Sequence, residues 1–133
     1  MDLAPLNNNT APNYDNSISG LFKLLQNGCF GTGVHLPNGA TITAVKVWYA
    51  SGATGNPIVT LRQALFSNFG VTNVIASRTL MDNSGIQKVA NLTLPEPHKV
   101  DNASGVYALQ ACLTPDDTFY AARITYTYET AGD

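Results

Sequence analysis

The residue types able to do chemistry are few in this chain and widely spread. Two histidines, two cysteines, one tryptophan and nine acidic residues stand among 133. A nucleophilic triad needs a Ser or Cys activated by a His that an acid orients. His35 lies at a strand end beside a turn and His98 follows Pro95-Glu96-Pro97, with no nucleophile-elbow pattern near either, so a small hydrolase is the last of three readings kept. Paired carboxylates for glycoside hydrolysis would have to come from the nine acidic residues, most notably Asp82, Asp101, Asp116 and Asp117. These four stand in turn sequences, where Asp is favoured for local hydrogen bonding. Asp116-Asp117 and Asp101-Asn102 would offer oxygen ligands to calcium if their loops converged, but the chain has no contiguous calcium-loop motif. Cys29, Cys112, His35 and His98 fit no compact zinc spacing. The expectation is no catalytic residue, no metal and no cofactor.

Two features stay open. Cys29 and Cys112 both fall in strand candidates. A bridge between them would close a loop of about 80 residues and stabilise by roughly 4 kcal/mol in the chain-entropy model, whereas two reduced thiols would serve as small buried hydrophobes. Trp48 alternates away from Val45, Val47 and Tyr49, which displays its indole on a sheet face or, with the facing inverted, buries it. A displayed indole, with Tyr49 beside it, would stack on sugars or fill a subunit interface, because a rigid aromatic surface gains much per ordered torsion.

Short strands punctuated by turns must position these groups. The clearest is 41–50, and the last, 119–128, alternates Tyr120, Ala122, Ile124, Tyr126 and Tyr128 against Phe119, Ala121, Arg123, Thr125 and Thr127, long enough for a central strand. Further strands are predicted over 29–36, 58–66, 71–80, 86–94 and 106–113. They are separated by Asn27-Gly28, Pro37-Asn38-Gly39, Asp82-Asn83-Ser84-Gly85 and Pro115-Asp116-Asp117. Residues 18–25 would make one turn of helix or a first strand. No stretch has the 3.6-residue period that crossover helices require. The reading is a single all-β domain over 18–133, an antiparallel sandwich of jelly-roll type with seven or eight strands, preceded by an extended polar arm over 1–17.

Charged residues make up only 12% of the chain, so Asn, Thr and Ser must keep its surface wet. That composition suits strands and disfavours exposed helices. The basic residues Lys23, Lys46, Arg62, Arg78, Lys88, Lys99 and Arg123 are scattered singly, unlike the clustered footprint that a phosphate backbone requires, so nucleic acid is not an expected partner. No apolar run of about 18 residues is present to insert in a membrane. Asn8, Asn91 and Asn102 begin Asn-x-Thr/Ser triplets, which matter only in a secretory host.

Three stretches carry a resemblance: His35-Leu36-Pro37-Asn38-Gly39-Ala40-Thr41-Ile42-Thr43, Val100-Asp101-Asn102, and Tyr120-Ala121-Ala122-Arg123-Ile124-Thr125-Tyr126. Together the chain resembles a widespread group of bacterial secreted or surface proteins with a shared LPxGATIT turn and strand, a VDN turn and a closing RITY strand. Ala121-Ala122 stands where that group often has a Gly. The resemblance spans roughly 28–128, rests on structural residues and implies a β-sandwich outside the cytoplasm, with no catalytic residue carried over. The first residues lack the basic start and apolar stretch of a signal peptide, so such a location would be that of a mature form, on a cell surface or in a virus particle.

The functional expectation is therefore a non-catalytic extracellular structural protein that associates with copies of itself through the sandwich and the arm. The alternative is a carbohydrate-binding module that takes polysaccharide on Trp48 and Tyr49.

Overall fold

A computed structural model describes the backbone of residues 4–5, 14–17 and 20–24, and residues 28–129 apart from 53–55 and 83. Among the described residues the chain is all strand and connection: β1 (Ala4–Pro5), β2 (Tyr14–Ser17), β3 (Gly20–Leu24), β4 (Gly28–Val34), β5 (Thr41–Ala50), β6 (Ile58–Leu65), β7 (Asn68–Thr79), β8 (Lys88–Asn91), β9 (His98–Lys99), β10 (Gly105–Leu113) and β11 (Thr118–Thr127).

One sheet runs β1-β4-β10-β6-β7 and the other β2-β3-β11-β5-β8, with β9 also on β5. Because β8 and β9 share one edge of β5, the segment from β3 onward fills four strand positions in each layer. The chain changes sheet at every connection in that segment except the β6–β7 hairpin and the break between β8 and β9. All pairings are antiparallel, and this alternation is the double Greek key of a jelly roll. The predicted sandwich is therefore the observed one, and β11 is the central strand expected, between β3 and β5.

Alternation sets the core. Val45, Val47 and Tyr49 of β5, with Phe119 of the neighbouring β11, share one buried cluster with Val59 and Leu61 of β6, Tyr107, Leu109 and Ala111 of β10, Phe30 and Ile42. Burying side chains of this kind stabilises by roughly 1.5–3 kcal/mol each, which is the main favourable term for the fold.

The motif residues are structural. Gly39, at φ 82°, closes the Pro37 turn, a conformation that costs glycine nothing. Its N–H donates to the Val100 carbonyl at 2.8 Å, and the Val100 N–H returns to the Ala40 carbonyl at 2.7 Å. The Asn102 amide nitrogen donates to the Leu36 carbonyl, and its backbone N–H to Asn38 Oδ1, both at 2.9 Å. The first two motifs thus form one knot at an end of the sandwich.

Four expectations need correction or placement. Residues 18–25 hold a strand, β3, on the edge of β11. The strand predicted over 86–94 is broken: β8 ends at Asn91, and after a single bridge at Thr93 the chain rejoins β5 only at β9, because Pro95 and Pro97 lack the N–H a ladder needs. β7 begins at Asn68, three residues early, because a two-residue turn at Phe66-Ser67 closes the hairpin. Of the arm over 1–17, Ala4–Pro5 lies along β4 and Tyr14–Ser17 along β3. The rest, Asn8 included, lies outside the described residues.

Candidate functional site

Trp48 stands on the outer face of its sheet, between Val89 of β8 and Ala121 of β11. It is half-buried, and the Arg123 guanidinium lies over the ring at 5.4 Å from its centroid. Around them a shallow depression of about 440 Å³ is lined by Gln87, Tyr120, Ala121 and Ala122. Tyr49 is not on this surface. It is 7% exposed and belongs to the core, since adjacent strand residues face opposite sides of a sheet, and burial pushes its phenol above the ordinary range. The pairing of Trp48 with Tyr49 as a stacking platform therefore fails, while the outward display of Trp48 is what the structure holds.

The second surface lies at the β6–β7 hairpin, which alternation alone did not reveal. Phe69 is 64% exposed, Val74 57%, Phe66 48% and Val71 46%. Register explains the projection: pairing jumps from Leu65–Asn68 to Ala64–Thr72, so Phe69, Gly70 and Val71 are extra residues that bulge from the edge strand. The first ten residues of β7, Asn68 to Ser77, carry no charge. A sequence signal was available, namely four large apolar residues beside a hairpin turn with no charged or Pro residue to guard the edge.

Cys29 and Cys112 sit directly opposite each other on β4 and β10 and are joined by a disulfide. Several other polar groups are held by internal hydrogen bonds. Asp117, fully buried, accepts from Gly52 N–H at 3.1 Å, Thr114 N–H at 2.8 Å and Thr114 Oγ1 at 2.6 Å. Asp101 accepts from Ala103 N–H, Ser104 N–H and the Ser104 hydroxyl. These bonds hold its carboxyl below the usual range. His98 Nε2 is 2.9 Å from the Tyr107 hydroxyl, and that hydroxyl accepts from Asp101 N–H at 3.0 Å. His35 is exposed at the end of β4. Among the described residues no three of His, Cys, Asp and Glu gather as metal ligands would.

The described residues form an antiparallel β-sandwich that displays Trp48 on one sheet and an apolar hairpin, Phe66 to Val74, on the other. No family model, curated protein or solved structure matches the chain.

Proposed function

We propose that this protein is a non-catalytic structural component that associates with copies of itself outside the cell, using the β6–β7 hairpin edge as its contact. The observation that carries the reading is the bulged edge strand, uncharged from Asn68 to Ser77, with Phe69, Val71 and Val74 and the adjoining Phe66 in solvent. Monomeric proteins keep such patches small and guard such edges. A second copy is the occupant that matches chemically, because it brings the same apolar residues about a two-fold axis with no charge to desolvate. The formal net charge of −2 opposes that approach weakly.

The arm supports the choice of edge. Its described pieces pair with β4 and β3, the strands opposite β7 and β8 in their sheets, so we assign it to covering those edges. The Cys29–Cys112 bridge and the resemblance to secreted sandwich proteins both support an oxidising location. A neutral-sugar module on Trp48 has less support, since a stacked pyranose would have to displace Arg123 from the ring.

Light scattering over a dilution series is the test, on the intact chain, on Val71→Lys, and on a chain lacking residues 1–17. The proposal expects a multimer that Val71→Lys dissolves and that arm deletion preserves or enlarges. A monomer at all concentrations sinks it, and a multimer dissolved only by arm deletion transfers the contact to the arm.

A further inference from the structure

Lys46 of β5 and Arg123 of β11 are direct cross-strand partners on the outer face of their sheet. Residues so placed have Cβ atoms about 4.5–5.5 Å apart, and like charges there are destabilising. Acidic neighbours would relieve the repulsion, yet the strands that carry this row, β5, β8 and β11, contain no Asp or Glu. The third residue of the row, across β5 from Lys46, is the neutral Asn91. Arg123 is held over Trp48 at 5.4 Å, which removes much of the rotamer freedom an arginine loses when it binds a ligand. Arg123 also lines the depression formed with Trp48, Gln87, Tyr120 and Ala121.

From this juxtaposition we infer that the Lys46–Arg123–Trp48 surface is a binding site for an acidic polysaccharide. An anionic group of the sugar bridges Lys46 and Arg123 and removes their mutual repulsion. The ring lies beside Trp48 over Ala121, whose small side chain leaves room, and Gln87 and the Tyr120 hydroxyl meet the sugar hydroxyls. Arg123 keeps its place on the indole, so the site needs no rearrangement of the kind a neutral stacked sugar would impose. A carboxylate and a sulfate ester both satisfy this chemistry. The inference is independent of self-association, because the hairpin contact belongs to the other sheet.

Trp48 is the only tryptophan, so its fluorescence reports on the site directly. The intact protein is titrated with polygalacturonate, with dextran sulfate and with neutral dextran. Saturable change with either polyanion and none with dextran is expected. Response to polygalacturonate alone assigns a uronate, and response to dextran sulfate alone a sulfate ester. Arg123→Gln should weaken binding about tenfold, as loss of one charge-assisted contact implies. Lys46→Glu is the sharper variant. It turns the like-charged pair into an opposite-charged one, so it should abolish binding while raising Tm by about 2 °C. Equal response to neutral dextran, no response to either polyanion, or unchanged binding in Lys46→Glu would overturn the inference. So would binding of single-stranded DNA as tight as that of the better polyanion, since charge alone would then be at work.

Discussion

Phe66 and Phe69 meet edge to face with ring centroids 5.8 Å apart, across the turn that joins β6 to β7. Phe66 is 48% exposed and Phe69 64%, so the pair shields only itself and leaves the hairpin edge apolar. Phe69→Ser is expected to cut binding of an apolar dye and to shift the multimer toward monomer. Stability of the isolated domain should stay within about 0.5 kcal/mol, as for other surface substitutions. Denaturant titration at low protein concentration beside dye fluorescence checks both halves of this expectation.

Asp117 makes the opposite case, a buried carboxylate whose work is wholly internal. It gathers Gly52 and Thr114, and the fit is tight enough that a Cβ on Gly52 would come within 2.5 Å of the Asp116 Cβ. Asp117→Ala leaves the donors of Gly52 and Thr114 without this acceptor and should cost about 3 kcal/mol. Asp117→Asn, which keeps one carbonyl oxygen, should cost less. Equal stability of the alanine variant and the parent in urea would show that the loop is held by other means.

His98 gives the fold a pH dependence. Burial lowers its pKa, and the nearby Glu96 offsets this only in part, so the folded state favours the neutral ring that can accept from the Tyr107 hydroxyl. A depressed folded value means that the unfolded chain binds the proton more readily. The contribution is therefore complete above the unfolded value of about 6.5 and is lost as pH falls through the folded value below it. Asp101, held below the usual carboxylate range, loses its contribution at still lower pH. Unfolding free energy should fall between about pH 7 and 5, and His98→Gln should flatten that slope. An unchanged slope in the variant would assign it elsewhere.

The disulfide joins residues 83 apart in sequence. In the chain-entropy model such a closure stabilises by about 4–5 kcal/mol, and loss of a native bridge from a small domain costs about 2–5 kcal/mol. Replacing both Cys29 and Cys112 by Ala should lower Tm markedly, and the parent in reductant should fall with it. Identical melting of the parent and the double variant would show that the ladder between β4 and β10 suffices alone.

The order of the strands was legible because turn chemistry and period-two alternation agree along most of the chain. Pro37-Asn38-Gly39 announces its turn, and Thr41–Ala50 and Thr118–Thr127 alternate over most of their length. The facing switches between Ile42 and Val45 and at the register shift after Phe119, so that Phe119 joins Ala122 and Ile124 on the core side. The same alternation displayed Trp48, and applied to its neighbour it excludes Tyr49 from that surface. Pairing between strands was not legible. Neither the break between β8 and β9 nor the three extra residues at Phe69–Val71 follows from composition, since each depends on which partner strand is available and how long it is. The Lys46–Arg123 pair was hidden for the same reason: two singly scattered cations become neighbours only through the register of β5 on β11.

Amide hydrogen exchange in residues 66–74, compared between dilute and concentrated protein, tests the self-association account most directly because it locates the contact. The account predicts that protection in this hairpin rises with concentration while the arm-covered β4 edge is unchanged, and that Val71→Lys removes the effect. A multimer whose hairpin exchanges at the same rate at every concentration would contradict it.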